Sequence, residues 1–171
     1  MRKKDQSTKF IKYCLVDALV KLLEKGCSFP EITVAEICAE AGIGRTTYYR
    51  HFDNKNGKVE MLRFKIYGGW EEYCLNREEE LKDSTMRVLL NFFYSQRDFL
   101  LLLHRNGLVM DILFGVLYLS VGPTGNEEKE SAYWRAYLAS GIFGFIYHWL
   151  QTEFVDPPEY VYALISKKYP I

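Results

Sequence analysis

Thr33-Val-Ala-Glu-Ile-Cys-Ala-Glu-Ala-Gly-Ile-Gly-Arg-Thr-Thr-Tyr-Tyr-Arg-His-Phe-Asp-Asn-Lys55 is the stretch that decides the fold. Thr33 and Glu36 have the spacing of a capping box, in which hydroxyl and carboxylate satisfy the free amides of a helix start. The short helix they open turns Ile37, Cys38 and Ala41 inward. Gly42 supplies a sharp turn, and Ile43 plugs the gap before a second short helix from about Arg45 to His51. Tyr48 and Phe52, four apart, share one face of that helix and pack inward with Ile37 and Ile43. Arg45, Thr46, Tyr49 and Arg50 are left pointing outward. Two short helices joined by a glycine turn, the second bearing small polar, basic and aromatic groups, describe a helix-turn-helix. In such a motif Arg45 suits guanine edges and Thr46 a base edge or a thymine methyl. Thr47, Tyr49 and Lys55 suit phosphate oxygens, which fix register and not sequence.

Outward from this stretch the whole chain of 171 residues reads as helix, with apolar residues at three- and four-residue spacing and no sustained alternation. A first helix from about Ser7 to Lys25 carries the stripe Phe10, Ile11, Cys14, Leu15, Ala18, Leu19 and Leu22. Gly26 stops it and Pro30 marks the loop that follows. Asp53 and Asn54 are placed to cap a longer helix running from Lys55 through Leu62 and Ile66 to Tyr73. Further helices are expected at about Ser84–Arg97, Phe99–Asn106 and Leu108–Ser120, then a loop from Val121 to Asn126. Asn126, with Glu127 and Glu128, caps a long helix to about Thr152, and Asp156-Pro-Pro-Glu159 opens the last one.

Charge is divided along the chain although it cancels overall. Residues 1–65 hold thirteen Lys/Arg against eight Asp/Glu, and residues 66–171 hold nine against fourteen. A head of net +5 on a body of net −5 suits a protein whose N-terminal part meets a polyanion.

The run from Ile32 to Lys55 closely resembles the DNA-binding domain of TetR-family regulators, and the resemblance extends over residues 7–70. The family pattern is a Thr-Val, an Ile-Ala pair, Ala-Gly-Val, a Thr two before a Tyr, then Phe and Lys at the next helix start. By that resemblance Thr33, Thr47, Tyr49 and Lys55 would contact phosphates, and Gly44, Arg45, Thr46, Arg50 and His51 would face the bases. Cys38 departs from the usual Ala, and Tyr48 stands in place of an aliphatic residue. Gly57, early in the next helix, costs about 1 kcal/mol of helix stability relative to Ala. Phe99-Leu-Leu-Leu-Leu103, the Gly141–Leu150 segment and the later Pro-Pro-Glu resemble, more loosely, the TetR subgroup containing the activator of bacterial dihydroxyacetone kinase operons.

The implied fold is all-α, with about nine helices. A helix-turn-helix head over residues 1–55 would be followed by a linking helix over 55–73 and a helical dimerisation and effector domain over 74–171. Ala132, Ala136, Ser140 and Gly144 form a small-residue stripe on the long helix that admits close approach of another helix, either within the chain or in a dimer. The family's dimer of last-two-helix pairs favours the dimer. Trp70, Tyr73, Phe92, Phe93, Phe114, Tyr118 and Tyr147 are candidates to line an effector pocket or to form plain core. The resulting expectation is a cytoplasmic, homodimeric regulator on double-stranded DNA, a repressor released by a small effector. The alternatives are a co-activator governed by a partner protein and a helical interaction module without DNA binding.

Other function classes find few residues to stand on. Cys14, Cys27, Cys38 and Cys74 lie too far apart for a zinc site or disulfide scaffold, and reduced thiols are expected. His104 and His148 are isolated, no nucleophile–base–acid set appears, and no cofactor, metal or enzymatic activity is expected. Phe99–Leu103, Ile112–Val121 and Ala136–Leu150 are each shorter than the roughly 18 to 20 apolar residues that span a bilayer.

Overall fold

The computed structural model describes residues 3–52, 55–120 and 129–168. These form ten α-helices, without a strand among the described residues, so the fold is all-α as expected. They divide between Tyr67 and Gly68 into two compact units. Asp53 and Asn54, and the Val121–Asn126 loop with its capping Asn126, lie outside the described residues.

The first unit is built on α1 (Lys3–Glu24), α2 (Val34–Ala41), α3 (Arg45–His51) and the start of α4 (Gly57–Cys74). Its core is Leu15, Val16 and Leu19 from α1, Ile37 from α2, Tyr48 from α3, and Met61, Leu62 and Ile66 from α4. The expected α1 stripe is partly corrected. Phe10 is 68% exposed, while Val16 and Leu23 are buried in its stead. The buried residues of a helix that starts at Lys3 begin only at Leu15, in its fourth turn, and Phe10 lies before them on the solvent side. The capping box forms as the sequence requires. The Thr33 amide and hydroxyl donate to Glu36 Oε2 at 2.8 and 2.7 Å, and the Glu36 amide donates to Thr33 Oγ1 at 3.2 Å. Gly42 ends α2 with φ 65°, a left-handed turn open at little cost only to glycine. The helix expected from Lys55 begins two residues later. Lys55 and Asn56 form a turn, and the Asn56 carbonyl accepts the Glu60 amide at 2.9 Å.

The second unit contains α5 (Glu78–Asp83), α6 (Thr85–Ser95), α7 (Arg97–Arg105), α8 (Gly115–Ser120), α9 (Lys129–Gln151) and α10 (Pro158–Lys168). A π-helical turn, Met110–Phe114, runs into α8. Val88, Leu90, Phe92 and Phe93 of α6, Leu100 and Leu103 of α7, Val116 and Leu117 of α8, and Ala139, Ile146, Trp149 and Leu150 of α9 are buried. Ser84 Oγ accepts the Arg87 amide and caps α6, against which α10 packs. The Trp149 indole N–H donates to the Asp156 carbonyl at 2.8 Å, which ties the turn after α9 to its last turn. The acidic run Glu78–Glu80 opens a helix of its own, α5, with its carboxylates at the positive end.

Candidate nucleic-acid interface

α3 is a seven-residue helix whose two faces have opposite chemistry. Inward, Tyr48 is 1% and Phe52 5% exposed, their rings 5.9 Å apart. This aromatic pair sets the rotation of α3 on its support. Outward, Gly44, Arg45, Thr46, Tyr49 and Arg50 are exposed, and Thr47 and His51 are half-buried at the margins. The Tyr49 ring stands perpendicular to that of Tyr48 at 5.3 Å, so the outward tyrosine is braced by the inward one. Thr33 and Lys55 are also exposed, at the start of α2 and in the turn before α4. All nine expected DNA-facing residues thus fall in the first unit, on or beside the two short helices.

Electrostatics separate these residues from the other cations of the head. Lys25 pairs with Glu40 at 2.7 Å and Lys65 with Asp17 at 3.7 Å. Lys12 lies over the rings of Phe52 and Phe64 at 5.6 and 5.1 Å. Arg45, Arg50 and Lys55 have no ion pair among the described residues. Three exposed cations without an anion among the described residues leave positive charge on this surface. Burial, then the charges of Lys12 and Arg50, hold the His51 imidazole below its ordinary pKa, so it is neutral at pH 7.

The two departures at positions 48 and 57 are one feature. A Cβ added at Gly57 would lie 2.6 Å from Tyr48 Oη, a separation no real Cβ tolerates. The tyrosine occupies the space that any other residue at 57 would need. Burial pushes the Tyr48 phenol up to about 12.

Residues 15–58 match the family model of bacterial regulatory proteins, tetR family. The N-terminal segment is a TetR-family DNA-binding domain. With that domain the chain is a DNA-binding transcriptional regulator. The match begins at Leu15, within α1, spans α2 and α3, and ends at Lys58, in the first turn of α4. No curated protein and no solved structure matches the chain.

Beyond the TetR-type head, the stripe Ala132, Ala136, Ser140 and Gly144 passes from half-buried to exposed along α9. A four-residue repeat overshoots one helical turn by about 40° at each step, so the stripe winds round the barrel. The face left open on α9 is instead aromatic. Tyr133, Trp134 and Tyr137 are each more than 60% exposed, and Leu138 and Phe145 more than 40%. Sequence reasoning missed these residues, although their spacing of three, four and seven on one helix was a usable signal. A Cβ at Gly141 or Gly144 would meet nothing within 4 Å. The chain's own packing therefore gives no reason for glycine there.

The seven pocket candidates form two groups of touching rings. Trp70, Tyr73 and Phe93 each meet Phe92 at 5.2–5.6 Å. Phe114 meets Tyr118 at 6.2 Å, and Phe143 joins Phe114 to Tyr147 at 5.5 and 5.4 Å. His104 lies edge-on to Tyr147. Among the described residues no cluster of His, Cys, Asp and Glu has the makings of a metal site, and no helix is long and apolar enough to cross a membrane.

Proposed function

We propose that the protein acts as a homodimer that reads an inverted-repeat operator and represses transcription until a small effector releases it. The observation that carries the DNA-reading part is α3 itself. Its inward tyrosine and phenylalanine fix the helix, and its outward Arg45, Thr46, Tyr49 and Arg50 face solvent, the two arginines without an ion pair among the described residues. Arg45 and Thr46 read base edges, with Gly44 allowing close approach. Thr33, Thr47, Tyr49 and Lys55 hold phosphates. The exposed aromatic face of α9, with two glycines open to a neighbour, supports self-association through that helix. Two copies related by a two-fold axis present their reading helices to half-sites roughly 34 Å apart. Effector binding within the second unit then favours an arrangement in which the two heads lose that spacing. The looser C-terminal resemblance supports a second reading, a co-activator whose α9 face binds a partner protein.

Selection of bound sequences from random duplex DNA tests this directly, with an Arg45→Ala, Tyr49→Ala variant in parallel. An enriched inverted repeat that the variant fails to enrich is the expected outcome. A folded dimer that enriches nothing at low salt, where phosphate contacts are strongest, overturns direct reading. A protein monomeric at micromolar concentration favours the partner-dependent form.

A further inference from the structure

One lysine inside the head makes contacts that DNA reading has not yet used. Lys58 lies in the first turn of α4, three and four residues before the buried Met61 and Leu62. Its ammonium therefore sits at an inward-facing position where an apolar side chain would be the ordinary choice. It donates to the carbonyls of Phe29 at 2.6 Å, Ile32 at 2.8 Å and Pro30 at 3.3 Å, and lies 4.8 Å from the centre of the Phe29 ring. An ammonium has three N–H donors, and here all three are directed at one bend of four consecutive residues. The bend is closed on its own side by the Glu31 and Ile32 amides, which donate to the Ser28 carbonyl at 2.9 and 3.1 Å. The next residue is Thr33, whose amide and hydroxyl are held by Glu36. Burial holds the Lys58 ammonium below the ordinary lysine range, and the Glu36 carboxylate opposes that shift.

This network joins the turn that carries Lys55 to the loop that ends in Thr33. We propose that Lys58 is a positioning residue for DNA binding: its ammonium fixes the 29–32 bend and so sets Thr33 and the N-terminus of α2 against the phosphate backbone. The proposal rests on the DNA-binding reading above. Lys58 itself touches no DNA, and its effect passes through Thr33.

The test is a double-mutant cycle on DNA affinity with Lys58→Met and Thr33→Val. Binding is measured by fluorescence anisotropy on a selected duplex and an unrelated one, at a temperature where circular dichroism shows every variant folded. Each single variant is expected to weaken binding about five- to tenfold, the scale of one phosphate hydrogen bond. The loss is expected to be equal on both duplexes, since phosphate contacts are blind to sequence. The double variant is expected to bind no more weakly than the weaker single one. Additive losses, or wild-type affinity in Lys58→Met, overturn the proposal while DNA reading stands. Wild-type protein that binds no duplex at low salt overturns the DNA reading and this proposal with it. If Lys58→Met does not fold, Lys58→Arg replaces it in the same cycle, because a planar guanidinium does not aim three donors at three converging carbonyls. A loss suppressed in the Thr33→Val background is then expected, and wild-type affinity in Lys58→Arg overturns the proposal.

Discussion

α3 and α9 both carry side chains that the chain leaves uncovered, and they leave opposite kinds. On α3 the outward groups are cations and hydroxyls beside an exposed tyrosine, the charges lacking an ion pair among the described residues. On α9 they are the rings of Tyr133, Trp134 and Tyr137, beside glycines where an added Cβ would meet none of the described residues within 4 Å. Charged side chains in water lose little by standing alone, so an exposed Arg45 is cheap to keep. Exposed rings are costlier, and several of them on one helix face are what supports the proposed self-association through α9. The comparison teaches that the two surfaces offer a partner different forces, one screened by salt and one that is not weakened by it.

The comparison can be broken most decisively at α9. Tyr137→Glu places a charge in the middle of the aromatic face, and burying an unpaired charge in an apolar interface costs at least several kcal/mol. Dimer dissociation by more than 100-fold is therefore expected in analytical ultracentrifugation, with the melting of the head unchanged. A variant that still dimerises at wild-type concentration would remove α9 from the interface.

A second, smaller effect sharpens the contrast from the α3 side, where the inward face is as apolar as α9's outward one. The buried Tyr48 phenol ionises at about 12 in the folded head against about 10 in an unfolded chain. Its raised value means the neutral form is the one the fold favours. The stability that follows is complete below pH 10 and lost as pH rises towards 12, on the order of 2 kcal/mol for one such group. Urea unfolding followed across pH 9–12 is expected to show this decline in the wild type and its absence in Tyr48→Phe. A decline of equal size in both would place the alkaline sensitivity elsewhere.

The smallest expected effect is a change of sign. Gly57→Ala in the wild type forces a Cβ against Tyr48 Oη and is expected to destabilise the head by about 1 kcal/mol. In a Tyr48→Phe background the nearest remaining atoms are 3.4 Å away, an ordinary contact. There the same substitution is expected to stabilise by up to about 1 kcal/mol, the usual gain of alanine over glycine in a helix. Destabilisation in both backgrounds would show that the oxygen is not the obstacle.

Much of the head was legible because its signals are local. The capping box needs only Thr33 and Glu36, the turn needs only Gly42, and the division of α3 into two faces needs only helical periodicity. What the sequence concealed depends on where helices begin and on which neighbours they meet. Phe10 has helical spacing with Cys14 and Ala18, yet the buried core starts after it. The α9 stripe was chosen for small residues at a four-residue repeat, which a real helix carries round to another side. The role of Lys58 has no local signature, although its place three and four residues before Met61 and Leu62 was visible. Its three carbonyl partners come from residues 26 to 29 positions earlier, a distance no local pattern spans. The π-helical turn before α8 has no sequence signal that periodicity reads.

The fit of Tyr48 against Gly57 also constrains how such a sequence can be reached one substitution at a time. With any side chain at position 57, a tyrosine arriving at 48 meets a filled space. The glycine has to come first, at a time when it brings only the loss of helix stability. Once the tyrosine is in place, return from glycine carries a stability cost until the tyrosine leaves. The pair therefore favours one order of arrival and the reverse order of departure, and what a substitution at either position does to the head depends on the residue at the other.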